Sequence, residues 1–141
     1  MQDAVQPMCG PDNQQRLGAN GMAAVPGTDL LITSWGTSFG SNPTWMGWFQ
    51  RAGLPAPDLV GFQVGRSSLA IDMARQGLGV ALAQRMLDAD DLASGALLPL
   101  SPLTMDLGHP YCLIHPHAAT SERNLRAVIA WLTHDTALPP T

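Results

Sequence analysis

Residues 59–83 read Leu59-Val60-Gly61-Phe62-Gln63-Val64-Gly65-Arg66-Ser67-Ser68-Leu69-Ala70-Ile71-Asp72-Met73-Ala74-Arg75-Gln76-Gly77-Leu78-Gly79-Val80-Ala81-Leu82-Ala83, and three patterns within them decide the fold class. Leu59 to Val64 is a strand. Ser67 or Ser68 caps a helix that turns Ala70, Met73 and Ala74 inward and stops at Gly77. Val80 to Ala83 is apolar on both faces, as an interior strand of a parallel sheet must be. Strand, helix and strand in this order make a right-handed crossover.

The flanking sequence repeats the pattern. Leu30 to Trp35 reads as a buried strand, followed by a helix with Ser41 or Asn42 as cap and Pro43 at its first position. Trp45, Trp48, Phe49 and Ala52 then share one helical face before Gly53 and Pro55 end it. Upstream, Val5 to Cys9 is a short strand that Pro7 confines to an edge or crossover, and Gln14 to Leu17 makes one helical turn. Downstream come a short helix through Met86 and Leu87, an Asp-rich turn, and strands at Ala96 to Leu100 and Tyr111 to Ile114. A closing helix carries Leu125, Val128, Ile129 and Leu132, and residues 134–141 read as a frayed tail. The class is α/β, a mostly parallel sheet flanked by helices.

Composition narrows the chemistry. The 141 residues, 45% hydrophobic and 13% charged, suit one domain with its own core and exclude a disordered, collagen-like or coiled-coil chain. Uninterrupted apolar runs fall far short of the roughly 20 residues that cross a bilayer. Met1-Gln2-Asp3-Ala4 offers neither a basic flank nor an apolar core for secretion, so a cytoplasmic location is expected. Seven arginines and no lysine stand against ten aspartates and Glu122, a formal charge of -4. Lysine Schiff-base and Walker-type chemistry are therefore excluded, and no basic stripe for DNA is present. Cys9 and Cys112 lie in short apolar segments and read as packed thiols.

Five patterns invite a catalytic or ligand-binding reading. Gly36-Thr37-Ser38-Phe39-Gly40 matches G-x-S-x-G after a strand, which would make Ser38 the nucleophile of a small α/β-hydrolase. A nucleophile elbow starts its helix almost at the serine, whereas here the helix signals begin several residues later, so the loop reading is preferred. Gly77-Leu78-Gly79 leaves a helix and joins a strand, the reverse of dinucleotide binding. Asp88-Ala89-Asp90-Asp91 fails as a calcium loop because Ala93 and Pro99 occupy its sixth and twelfth positions. His109, His115 and His117 follow no ligand spacing, and neither metal nor cofactor is expected. Arg66-Ser67-Ser68 is different: it falls where a strand ends and a helix begins, where free N–H groups and the helix dipole favour an anion.

The order of these strings resembles the effector-binding region of LysR-type transcriptional regulators, in the branch with a Trp-x-x-Trp helix. The resemblance covers residues 5–133. It rests on Val5-Gln6-Pro7-Met8-Cys9-Gly10-Pro11, on Trp45-Met46-Gly47-Trp48 with Ala52-Gly53-Leu54, and on Ala74 to Ala83. Asp91 to Pro99, Tyr111 to Pro116 and Val128 to Leu132 complete it. It implies the second lobe of a periplasmic-binding-protein type II-like domain over residues 1–116, with 117–141 a helix and tail packing on a first lobe. The winged helix-turn-helix and most of that first lobe are expected to lie outside this sequence. The implied function is the sensing of a small, possibly anionic effector by a homo-oligomeric regulator that touches DNA through another domain, with no enzymatic role. Arg66, Ser67 and Ser68 are its leading effector contacts, and Ser34 a further one.

Overall fold

The computed structural model describes residues 1–116 and 123–134. Gln2–Pro110 form one compact unit; Met1 and the residues from Tyr111 onward form another. The first unit runs β1 (Ala4–Cys9), α1 (Pro11–Leu17), β2 (Leu30–Thr33), α2 (Trp45–Ala52), β3 (Gln63–Val64), α3 (Ser67–Arg75), β4 (Val80–Gln84), α4 (Arg85–Ser94), β5 (Leu98–Pro99) and β6 (Met105–Asp106). The second contains α5 (Arg123–His134), whose Leu125, Val128 and Trp131 side chains are exposed.

The sheet is mixed, in the order β3-β2-β4-β1-β5, with β6 also paired to β1. β2 is parallel to both β3 and β4, whereas β1 runs antiparallel to β4, β5 and β6. Alternation along the strands sorts the core into two layers. Leu30, Val80 and Leu82 pack with Trp45, Trp48 and Phe49 of α2 on one face. Leu31, Ala81 and Ala83 pack with Ala70, Ile71 and Ala74 of α3 on the other, where small residues let the helix lie close. The α2 aromatics meet edge-on, and the indole N–H groups of Trp45 and Trp48 donate to the carbonyls of Leu31 and Leu103, which lets both rings be buried without an orphaned donor. Gly77 ends α3 in the left-handed region (φ 78°), the helix stop read from the sequence, and Gly79 runs against the Asp29 carbonyl.

Several expectations are corrected. Pro7 does not put β1 at an edge: the strand pairs on both sides. In an extended chain the nitrogen and oxygen of one residue face the same side, and the Pro7 oxygen accepts from the Leu100 N–H. The missing donor thus faces the gap where β6, opposite Ala4–Val5, gives way to β5, opposite Met8–Cys9, so no ladder bond is lost. The cap of α2 is Thr44, whose Oγ1 accepts from the Gly47 N–H, rather than Ser41 or Asn42; Pro43 precedes it and its carbonyl is held by the Trp35 indole. Arg66, not Ser67 or Ser68, is the residue before α3, and no side chain caps that helix. The Asp-rich turn is helix: Asp88 is buried and Asp91 pairs with Arg75 at 2.5 Å, interactions that outweigh the weak helix propensity of Asp until Gly95 stops α4. Residues 111–114 form no strand, and Cys112 is exposed whereas Cys9 is buried. The tail read at 135–141 lies outside the described residues.

Candidate functional site

The chain leaves β2 for α2 on one face of the sheet and leaves β3 for α3 on the other. Two adjacent parallel strands whose connections part to opposite faces open a crevice at their carboxyl ends, the ordinary ligand position in such sheets. A cleft of about 460 Å³ lies there, lined by Thr33, Ser34, Trp35 and Phe39 from the segment after β2, by Gly65, Arg66, Ser67 and Ser68 from the β3–α3 turn, and by Leu87 of α4. All four residues singled out by the sequence, Ser34, Arg66, Ser67 and Ser68, line this one cleft.

Their roles differ. Ser67 is half-buried, and its hydroxyl donates to Oε1 of Gln84 across 2.5 Å, which ties the first residue of α3 to the last residue of β4. Arg66 and Ser68 are exposed, and their side chains have no hydrogen-bonding or ionic partner among the described residues. Ser34 lines the cleft from the segment after β2, its backbone N–H donating to the Val64 carbonyl. Because α3 lacks a side-chain cap, the N–H groups of its first turn are open to a ligand. Among the described residues Arg66 is the one charged residue of the lining, and no carboxylate joins it there.

Reading the sequence alone missed four contributors. Gln84 is buried and follows four apolar strand residues directly; a polar side chain ending such a run was the available signal. Trp35 and Phe39 form walls. Thr33 also lines the cleft, and its Oγ1 is buried without a hydrogen-bond partner among the described residues, a state that costs about 1–3 kcal/mol.

A hydrolase centre does not form around Ser38. It is exposed in a single helical turn, Thr37–Phe39, and α2 begins only at Trp45. His109 approaches Ser41 instead, at 3.2 Å on the surface. Among the described residues no three His, Cys, Asp or Glu side chains gather as metal ligands. His117 lies outside those residues. None of their helices is long and apolar enough to cross a membrane.

The chain is similar to known transcriptional regulators. An HTH-type transcriptional regulator of Sinorhizobium fredii is 36% identical over 95 residues, which cover 64% of this chain and 31% of the relative. The regulator PerR of Escherichia coli is 31% identical over 93 residues, again 64% of this chain and 31% of the relative. The chain thus spans about a third of the length of the curated relatives it matches. In structure it is similar to the effector domain of the transcriptional regulator AmpR of Pseudomonas aeruginosa, with a TM-score of 0.68 at 24% identity over 97% of this chain and 63% of that one. These relatives are regulators rather than enzymes, and nothing in them supports a nucleophilic Ser38. The family model for the LysR substrate binding domain matches residues 3–137, so the chain belongs to that family.

Proposed function

We propose that this domain senses a small anionic effector on behalf of a LysR-type transcriptional regulator, and that the cleft between the turns after β2 and β3 receives it. The observation that carries the reading is the lining itself: one unpaired guanidinium, several hydroxyls, an uncapped helix start and no carboxylate. Arg66 pairs with the anionic group, bidentately where that group is planar. Ser68 and the first N–H groups of α3 hold the same oxygens, and Ser34 reaches them from the segment after β2. Ser67 is a positioning residue, locked by Gln84 so that the turn keeps its shape when empty.

In the regulator, residues 1–116 act as the second effector lobe and 117–141 pack on the first. A ligand gripped by both lobes favours one arrangement of them and so repositions the winged helix-turn-helix domains of a cytoplasmic homo-oligomer, a shift in population rather than a reaction. DNA is contacted only by those domains, in keeping with the net charge of -4 here. The test is a transcriptional reporter together with an operator-binding assay in the regulator that carries this domain. Changing Arg66→Ala with Ser68→Ala is expected to abolish the inducer response and leave operator affinity intact. An unchanged inducer response rejects the assignment.

A further inference from the structure

A second recess adjoins the cleft. It encloses about 300 Å³ and is lined by Leu31, Ile32, Thr33, Trp35, Pro43, Thr44, Trp45, Met46, Leu59 and Leu82, a wall that is almost wholly apolar and carries no charge. The two spaces share Thr33 and Trp35. Trp35 is fixed as their common wall by the bond from its indole N–H to the Pro43 carbonyl at 2.9 Å. Cation, hydroxyls and open N–H groups thus lie on one side of this partition, and hydrocarbon on the other.

We infer that the effector is an amphipathic anion, with its charged head at Arg66 and Ser68 and an apolar chain or ring in the recess beside Trp35, Met46 and Leu59. The inference rests on the proposed effector cleft and adds the chemical class of its ligand. Two features of the structure support it. The recess and the polar cleft meet at shared residues, Thr33 and Trp35, so the two lie within the span of one small molecule. Thr33 lines both spaces, and its hydroxyl is buried without a hydrogen-bond partner among the described residues. A short hydrophilic anion would leave the recess empty.

The experiment is titration of the 141-residue chain at pH 7 with straight-chain carboxylates from acetate to octanoate and with the matching primary alcohols. Calorimetry and tryptophan fluorescence provide the readouts. Affinity is expected to rise about three- to fourfold with each added methylene until the recess is filled. Arg66→Ala should weaken every acid and leave the alcohols unaffected. Met46→Trp, at the exposed rim, should remove the gain from chain length while acetate binding is preserved; Leu59→Trp is the second filling variant, and far-UV circular dichroism confirms that each folds. Arg66-dependent binding of acetate with no gain from longer chains overturns the amphipathic assignment and leaves the anion cleft standing. If no carboxylate binds, or if Arg66→Ala changes nothing, the anion cleft is lost and the inference with it.

Discussion

The Ser67 hydroxyl donates to Oε1 of Gln84 across 2.5 Å, linking the start of α3 to the end of β4 inside a cleft where the neighbouring side chains of Arg66 and Ser68 have no such anchor among the described residues. Gln84 is 4% exposed, so removal of the Ser67 hydroxyl costs its Oε1 this bond away from water. A double-mutant cycle of Ser67→Ala and Gln84→Leu, followed by urea unfolding, is expected to give a coupling of about 1 kcal/mol. Strictly additive losses would show that the two side chains hold the turn independently.

Gly79 joins α3 to β4 where β4 lies beside β2. Its φ is 159°, and a Cβ there would crowd the Asp29 carbonyl and the Leu31 side chain. The obstruction is backbone on one side and a buried core residue on the other, so neither can swing aside. Gly79→Ala is expected to destabilise the domain by roughly 2–4 kcal/mol, visible as a lower urea midpoint. Gly65→Ala meets open space and serves as the control with little change.

Thr33 and valine have nearly the same shape, yet the buried hydroxyl has no partner among the described residues. Thr33→Val is therefore expected to raise the stability of the empty domain by about 1 kcal/mol while weakening any ligand that bonds the hydroxyl. Thermal unfolding with and without hexanoate measures both. A variant less stable than the parent would mean that the hydroxyl is satisfied in solution.

The sequence made the parallel core legible because its signals are local. The apolar run at Val80–Ala83, the glycines at 77 and 79, and the face of Trp45, Trp48 and Phe49 each report their own surroundings. The errors fell where a distant partner decides. Pro7 reads as an edge residue until the break between β6 and β5 is seen opposite it. Asp88 to Asp91 reads as a turn until Arg75 supplies a partner for Asp91. The cleft shows the same division: Arg66-Ser67-Ser68 announces itself by its place between a strand and a helix, whereas Gln84 and Thr33 acquire significance only from what packs above them.

Asp88 lies in the first turn of α4, 2% exposed, and burial pushes its carboxyl from the ordinary 3.8 up to about 6. The neighbouring charge of Asp3 pushes in the same direction, Asp91 adds to it more weakly, and Arg85 opposes. Asp3 is itself raised by burial, against the N–H groups of Ala4 and Met86 that bond its carboxylate. A carboxyl whose folded value exceeds its unfolded value binds its proton more tightly in the folded state. It therefore contributes stability that is complete below pH about 4 and is lost as pH rises through about 6, on the order of 2–3 kcal/mol. Asp88→Asn removes the buried charge. Relative to the parent, the variant should thus be more stable at pH 7.5 than at pH 4.5, by about that amount. Urea unfolding of both proteins at the two pH values measures the difference, and an identical gap at both would show that Asp88 titrates as an ordinary surface carboxyl.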